Sequence, residues 1–357
     1  MGHAAGPVAE PRLVDAYRGV VCDLDGVVRR GPAAVPHAVP CLTALSVPVV
    51  YATNNASLTP RDVARQLQGL GLDATAADVV TSSQAGAAHL AEYVPPGSAV
   101  LAVGGSGVAA ALTEVGLVPV TGTHEGVVAV LQGYGPQVSA TDLAHAAYAI
   151  EAGARWVVTN RDSTLPTEHG VAPGNGALVA AVALATGTQP TSVGKPEPPL
   201  YHLAVGRLGC PAGAVLAVGD RLDTDIAGAM AAGLDSLWVL TGVDGLVSFA
   251  EAAGRPAPTF TATDLQALGL PAQRATPAAN GSWVCGPVRL TVDWSGPAIT
   301  VDGFDGFDGL AGLDDGPANR NALLTTAVAA LVQARDEHGA AADVLAQAAG
   351  QVMSHLR

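Results

Sequence analysis

The chain has 357 residues, enough for two or three domains, and 49% of them are hydrophobic, which favours globular domains with sizeable cores over disorder. Its net charge of −14 makes it a poor candidate for binding nucleic acid or an anionic membrane, so an anionic ligand would need local cations or a metal. The four cysteines form no close pair, and we find neither a signal peptide nor an apolar run of membrane-spanning length, so we expect a cytoplasmic protein.

Short apolar runs alternate with helical patterns through most of the chain, which predicts βαβ units and a parallel sheet. A helix is predicted from Pro60 to about Gly69, with Thr59 as its N-cap. The strands predicted in chain order are Gly19–Asp23, Val47–Thr53, Ala99–Val103, Val127–Gly133, Trp156–Thr159, Val215–Val218 and Ser236–Leu240.

The pattern changes near Leu270, where a stretch rich in Pro, Ala and Thr indicates a linker. Two strand-like pieces follow, Ser282–Trp294 and Ala298–Asp302, and then a loop rich in Gly and Asp. Two helical stretches, at about 319–338 and 341–355, close the chain. The tail is therefore predicted to be a separate, small α+β unit.

Polar motifs follow four of the strands or lie close to them: Asp23 with Asp25, the run 53–55, Lys195, and the run 219–225. Taken singly, each has an ordinary structural explanation as a turn, a surface lysine or a helix cap. Ligands of open α/β sheets bind outside the carboxyl ends of the strands. Four such motifs in this order therefore predict one shared site.

The chemistry of these side chains suits a phosphate ester. Carboxylate oxygens of Asp23 and Asp220 would hold Mg²⁺, a hard cation that prefers oxygen ligands. Lys195 and Thr53 would bind the phosphoryl oxygens. Asp23 would attack phosphorus to give an aspartyl-phosphate, and Asp25 would act as the general acid and base.

The motif set resembles that of the haloacid dehalogenase (HAD) superfamily of phosphohydrolases, over roughly residues 15–270. The resemblance implies a HAD-like Rossmannoid parallel-sheet core and a Mg²⁺ cofactor. It also implies that Asp23 is the nucleophile, and that the backbone carbonyl of Asp25 joins Asp23 and Asp220 as a metal ligand. Asp225 would support these ligands without binding the metal itself.

The spacing of the motifs predicts an inserted domain. Thirty residues separate Asp23 from Thr53, but 142 separate Thr53 from Lys195. This resembles class IIA of the superfamily, the NagD-like and p-nitrophenylphosphatase-like group, whose α/β cap is inserted there. The predicted division is a discontinuous catalytic core at 1–84 and 188–270, an α/β cap at 85–187, a linker at 271–281 and a C-terminal α+β domain at 282–357.

The substrate is expected to lie against a loop of this cap. The run 159–166, followed by 173–176, is similar to the group's cap loop and its return to the core. Pyridoxal phosphate phosphatases have His where this chain has Leu165, whereas Leu is similar to glycerol phosphate and phosphoglycolate phosphatases; packing within the cap is the alternative. With Thr53 and Lys195, the residues then expected to bind substrate are Asn54, Asn55, Asn160, Asp162 and Leu165.

A HAD core joined to a two-helix tail resembles the actinobacterial glycerol 3-phosphate phosphatases, whose tail is part of an acetyltransferase-like (GNAT) fold. The loop 302–316 lacks the pattern that binds the pyrophosphate of coenzyme A and is acidic, so we expect the tail to be non-catalytic, although a metal site among its aspartates is an alternative. Class IIA members often dimerise through their caps, which implies a homodimer.

These features favour a phosphatase of a small phosphorylated metabolite, with glycerol 3-phosphate as the first candidate. Alternatives within the class are 2-phosphoglycolate, pyridoxal phosphate and nucleotides. A non-catalytic sensor of phosphorylated ligands is an alternative of another kind. The run 105–110 imitates a dinucleotide-binding turn, with Glu125 further on, but ordinary packing of a glycine-rich turn is the favoured interpretation.

Overall fold

The computed structural model describes residues 10–123, 125–167, 169–251, 257–278, 282–291, 316–338 and 342–356. The chain forms two compact units. The first comprises Met1–Pro48 with Cys210–Arg357, and the second comprises Val49–Gly209. Within the described ranges, no helix is long and apolar enough to cross a membrane.

Each of the seven strands predicted from the sequence is confirmed to within about two residues. The described strands are β1 Gly19–Cys22, β2 Arg29–Arg30, β3 Ala33–Ala34, β4 Val49–Thr53, β5 Val79–Thr81, β6 Ala99–Val103, β7 Val118–Val120, β8 Ala129–Gln132, β9 Arg155–Val158, β10 Thr164–Thr167, β11 Gly170–Pro173, β12 Thr191–Ser192, β13 Val215–Gly219, β14 Asp235–Val239, β15 Phe260–Ala262, β16 Thr276–Pro277, β17 Ser282–Cys285 and β18 Val288–Thr291. The described α-helices are α1 Ala38–Thr43, α2 Pro60–Gly69, α3 Ser82–Ala91, α4 Ser106–Glu114, α5 Ala140–Glu151, α6 Asn175–Thr186, α7 Pro198–Leu208, α8 Ala227–Ala231, α9 Leu246–Glu251, α10 Pro317–His338 and α11 Ala342–Leu356.

Four parallel strands form the sheet of the first unit, in the order β15-β14-β13-β1. Every residue of β1 and β13 is buried, as expected for parallel strands covered on both faces. Cys22 pairs with Val218, so β1 and β13 end at the same edge of the sheet. The residues that follow these two strands, Asp23 and Asp220, are therefore delivered to one place.

The second unit contains a parallel pair, β4 and β5, and a five-stranded parallel sheet in the order β12-β9-β8-β6-β7. Helix α2 begins as predicted, because the Thr59 hydroxyl accepts a hydrogen bond from the backbone N–H of Asp62 at 3.2 Å. Strands β10 and β11 form an antiparallel hairpin. The predicted boundaries of the core and the cap stay a prediction.

The tail folds as an antiparallel three-stranded sheet, β16-β17-β18, followed by α10 and α11. The stretch predicted as one strand from Ser282 is a hairpin instead, because the chain turns at Gly286 and Pro287, where Gly286 has a φ of +55°. The two predicted helices are confirmed. The predicted strand 298–302 and the Gly/Asp-rich loop 302–315 lie outside the described residues.

The glycine-rich run 105–110 packs within the second unit. The backbone of Ser57 lies so close to Gly105 that a Cβ atom there would overlap it, and Gly107 is equally close to Leu58. The amide of Gly107 donates to the carbonyl of Ser57 at 3.3 Å. These contacts give the glycines a packing role, which is the interpretation favoured from the sequence.

Candidate active site

Three carboxylates of the first unit meet beyond the ends of β1 and β13. Asp23, Asp220 and Asp225 each place one oxygen within 4.8 Å of the others, and we call this group the acidic cluster. Asp220 is fully buried and Asp225 is 2% exposed, while Asp23 is partly buried. Three carboxylates gathered this closely repel one another and favour a bound cation.

The Asp220 carboxylate is held by backbone from the loop 241–244, which follows β14. The amide of Val243 donates to Asp220 Oδ2 at 2.7 Å. A Cβ atom at Gly242 would overlap this carboxylate, and so would one at Gly26, where φ is +97°. Only glycine at both positions leaves room for the carboxylate in its observed place.

Asp225 is positioned by a single π-helical turn, Leu222–Ile226, that leads into α8. Its Oδ2 accepts the amide of Arg221 at 3.1 Å, and the amide of Leu222 donates to Asp244 at 2.7 Å. Asp225 was predicted to support the metal site from outside the ligands, and one of its carboxylate oxygens lies within 4.8 Å of those of Asp23 and Asp220. π-Turns of this kind are frequent at functional sites.

The Asp25 side chain does not belong to the acidic cluster and pairs with Arg29 instead. Its carboxylate accepts hydrogen bonds from Arg29 Nε at 3.0 Å and Nη2 at 3.4 Å, and 59% of the side chain is exposed. Two hydrogen bonds hold the loop that follows β1 in place. The Thr241 hydroxyl donates to the carbonyl of Gly26 at 2.7 Å, and Arg30 Nε donates to the carbonyl of Thr241 at 2.7 Å.

In the second unit, Asn54 lies at the centre of a polar network. Its Oδ1 accepts the amide of Lys195 at 2.8 Å, and its Nδ2 donates to the carbonyl of Lys195 at 3.0 Å and to Asp162 Oδ2 at 3.3 Å. Asn160 Nδ2 donates to the carbonyl of Asn54 at 2.7 Å. Lys195 is 4% exposed, and its ammonium group donates to the carbonyl of Ala52 at 3.0 Å.

The other two residues of the Thr-Asn-Asn motif form a turn after β4. The amide of Asn55 donates to the Thr53 hydroxyl oxygen at 3.1 Å, and Asn55 Oδ1 accepts the amide of Ser57 at 3.0 Å. The network thus brings together Asn54, Lys195, Asn160 and Asp162, with Thr53 and Asn55 beside it in sequence. Leu165 lies on the β10–β11 hairpin opposite Ala172, half-buried, and its role against a substrate stays a prediction.

Several residues of this geometry were not predicted. Arg29 carries the clearest signal, since its charge lies four residues after Asp25 in the sequence. Gly242 and Val243 act through backbone groups, which leave little trace in sequence. Trp238 donates its Nε1–H to the carbonyl of Asp220 at 3.0 Å, but a tryptophan in an apolar strand pattern indicates only a core position.

The acidic cluster can hold a divalent cation and supply a carboxylate nucleophile, while the Asn54 network presents a buried ammonium group. Comparison with known proteins identifies the family. Residues 20–118 match the model for haloacid dehalogenase-like hydrolases, and residues 192–268 match a second HAD-like hydrolase model. The chain is 42% identical over 299 residues to D-glycerol 3-phosphate phosphatase from Mycobacterium tuberculosis, covering 83% of this chain and 82% of that protein. The chain belongs to the haloacid dehalogenase-like hydrolase family.

Solved structures agree with this family membership. The glycerol phosphate phosphatase from M. tuberculosis, in complex with magnesium, matches this HAD-like hydrolase with a TM-score of 0.79 and 37% identity, covering 97% of this chain and 98% of that one. A thermostable NPPase from Geobacillus stearothermophilus matches with a TM-score of 0.62 and 34% identity, covering 70% and 97%. The predicted α/β fold class and the NagD-like, p-nitrophenylphosphatase-like group are confirmed.

Proposed function

We propose that this HAD-like hydrolase is a Mg²⁺-dependent phosphatase that converts glycerol 3-phosphate into glycerol and phosphate through an aspartyl-phosphate on Asp23. The observation that carries the proposal is the acidic cluster, in which Asp23 lies with two further carboxylates at the end of a buried parallel sheet. The predicted enzyme class, a HAD-type phosphatase, agrees with the relatives, which are named as phosphatases.

The acidic cluster fits magnesium. Its donors are carboxylate oxygens, the ligands that this cation prefers, and glycine at positions 26 and 242 keeps space for the Asp220 carboxylate. Asp23 and Asp220 would hold the ion together with the backbone carbonyl of Asp25, and Asp225 would support them. Bound there, the ion would neutralise charge on the phosphoryl oxygens.

The first chemical step is an attack by a carboxylate oxygen of Asp23 on phosphorus. A bond forms between that oxygen and phosphorus, and the bond from phosphorus to the glycerol oxygen breaks. The glycerol oxygen leaves with the electron pair and takes a proton from the carboxyl group of Asp25. Free glycerol and a phosphorylated Asp23 result.

The second step returns the enzyme to its starting state. The carboxylate of Asp25 takes a proton from a water molecule as the water oxygen attacks phosphorus. The bond between phosphorus and Asp23 breaks, the Asp23 carboxylate is restored, and phosphate leaves. Asp25 then carries the proton that the next turnover needs.

The Asn54 network supplies the groups that bind substrate. Lys195 would neutralise the phosphoryl charge, and the hydrogen bonds between Asn54 and both sides of the Lys195 backbone would fix its position. The Thr53 hydroxyl would contribute a hydrogen bond to the phosphoryl group. Asn55, Asn160, Asp162 and Leu165 would bind the rest of the substrate.

Glycerol 3-phosphate is favoured over other phosphomonoesters by the 42% identity to a glycerol 3-phosphate phosphatase and by Leu165 in the cap loop. The alternatives are 2-phosphoglycolate, pyridoxal phosphate and nucleotides. The non-catalytic sensor is disfavoured, because the chain carries the complete set of predicted catalytic residues, which a protein that only binds would not need. A cytoplasmic location and a cap-mediated homodimer stay predictions.

A substrate panel tests the proposal. Phosphate release with Mg²⁺ is measured for glycerol 3-phosphate and the three alternatives, and kcat/KM is compared, because this ratio defines specificity. We expect the kcat/KM of glycerol 3-phosphate to exceed that of each alternative by about 10-fold or more, which corresponds to about 1.4 kcal/mol. A higher kcat/KM for another ester would replace the proposed substrate.

The control variant is Asp23→Asn, which keeps the size of the side chain and removes the nucleophile. We expect no measurable turnover of any ester. Wild-type activity in this variant would contradict the mechanism whatever the substrate. Tight binding of phosphorylated ligands by the wild-type protein without turnover would support the sensor instead.

A further inference from the structure

Trp238 links the acidic cluster to the apolar interior of the first unit. Its indole is fully buried and donates Nε1–H to the carbonyl oxygen of Asp220 at 3.0 Å. The ring packs against Phe249 of α9 with a centroid distance of 5.7 Å and an interplanar angle of 33°. The indole therefore makes a polar contact with a residue of the acidic cluster, while its apolar body packs in the core.

That apolar body belongs to a cluster to which the C-terminal helices also contribute. Trp238 and Phe249 share it with buried side chains of α10 and α11, Leu324 and Leu345 among them. Leu222 and Ile226, the first and last residues of the π-turn that carries Asp225, lie in the same cluster. Trp238, which contacts Asp220, and the turn that carries Asp225 therefore share one apolar cluster with the tail.

We propose that Trp238 is a positioning residue for the metal site, and that α10 and α11 hold Asp220 in place through it. This inference rests on the proposed magnesium site but concerns a part of the chain with no role in the chemical steps. Residues that orient the ligands of a metal from outside typically contribute 10- to 100-fold to metal affinity or activity. The tail then stabilises the active centre although none of the proposed catalytic residues lies in it.

The hydrogen bond to the Asp220 carbonyl is the specific element of this proposal. Without it, the peptide that follows β13 could rotate, and the side-chain contact between Asp220 Oδ2 and the amide of Val243 would be strained with it. Phenylalanine at position 238 keeps an aromatic ring and removes the N–H donor together with part of the indole. A control variant with the same loss of ring atoms elsewhere is therefore needed to read the effect of the donor.

The test compares Trp238→Phe with Trp283→Phe in the full-length protein. Trp283 makes an equivalent indole hydrogen bond, to Gln333 at 2.8 Å, but it lies in the C-terminal hairpin and outside the acidic cluster. Magnesium affinity is measured without substrate, from the rise in melting temperature as MgCl₂ is added. Circular dichroism without metal checks that both variants fold.

We expect Trp238→Phe to bind Mg²⁺ about 10-fold more weakly than the wild-type protein, and Trp283→Phe to bind it as the wild type does. Equal affinity in Trp238→Phe and the wild type would overturn the proposal. If wild-type protein itself showed no magnesium response, the proposed function would fail instead. The two failures are therefore distinguishable.

A second pair of variants covers the case in which Trp238→Phe does not fold. Leu324→Val makes a small cavity where α10 meets the shared apolar cluster, and Leu112→Val makes the same change in α4 of the second unit; both leucines are fully buried. We expect weaker magnesium binding only in Leu324→Val. Equal magnesium affinity in the two leucine variants would contradict the role of the tail.

Discussion

At the scale of single residues, the carboxylates of the acidic cluster could be predicted from the sequence, but the groups that hold them in place could not. Asp23 and Asp220 were predicted as metal ligands because four polar motifs follow strands or lie close to them, and because Mg²⁺ prefers carboxylate oxygens. Val243 and Gly242 could not be predicted, since the amide of one and the missing side chain of the other act only through the fold. The role of Trp238 was hidden for a related reason, because its position in the sequence indicates packing alone.

The space at position 242 gives the first prediction at this scale. In Gly242→Ala, the new methyl group would overlap the Asp220 carboxylate, so either this carboxylate or the loop 241–244 must move. We expect a fall of at least about 10-fold in kcat at a fixed Mg²⁺ concentration, because Asp220, the proposed metal ligand, is displaced. We also expect about 1–3 kcal/mol less stability from overpacking.

Gly245→Ala is the matched control for Gly242→Ala. It lies three residues further along, and a Cβ atom there would meet no neighbour within 4 Å. Initial rates and urea unfolding are measured for both variants. Full activity in Gly242→Ala, or an equal loss in the two variants, would show that position 242 has no special contact with the metal site.

At the scale of elements, strands and helices with strong local signals were predicted well. Strands β1 and β13 are continuous apolar runs, and α2 begins with a Thr-Pro pair that favours a helix start. The β10–β11 hairpin was missed because its strands are short and contain Pro166 and Pro173, which weaken a strand signal. The turn between β17 and β18 was missed because only Gly286 and Pro287 mark it.

Helix α5 carries a prediction about pH. Ser139 and Asp142 form a capping box, and hydrogen bonds from the backbone amide and then the hydroxyl of Ser139 hold the pKa of Asp142 below its ordinary value. A carboxylate whose pKa is lowered in the folded state stabilises the protein above its unfolded pKa, about 3.9. That stability is lost as pH falls through the folded pKa.

Urea unfolding of Asp142→Asn and the wild type tests this between neutral and acidic pH. We expect the variant to have the lower midpoint at pH 7, and the difference to shrink as the pH falls below about 4. The control is Asp73→Asn, at an exposed loop position. If the midpoint difference for Asp142→Asn stayed constant with pH, the charge of Asp142 would not be what stabilises the start of α5.

At the scale of the whole molecule, the candidate site residues belong to two units. The first holds the acidic cluster and Asp25, the proposed acid/base residue, and the second holds the Asn54 network with Lys195. The sequence predicted the family from four motifs that follow a strand or lie near one, and it singled out Asn160 and Asp162 through the resemblance of run 159–166 to a cap loop. It could not predict that buried side chains of the tail share an apolar cluster with Trp238, since such sharing depends on three-dimensional placement.

In the proposed mechanism the phosphoryl group passes through Asp23, and Asp25 is needed to release it. With p-nitrophenyl phosphate, whose leaving group needs little protonation, Asp25→Asn should still form the phosphoenzyme but hydrolyse it slowly. Mass spectrometry of the quenched Asp25→Asn variant should then find one phosphoryl group on the peptide containing Asp23, and none when Asp23→Asn is added. A phosphoryl group on another residue, or full turnover in Asp25→Asn with no phosphoenzyme, would contradict the account.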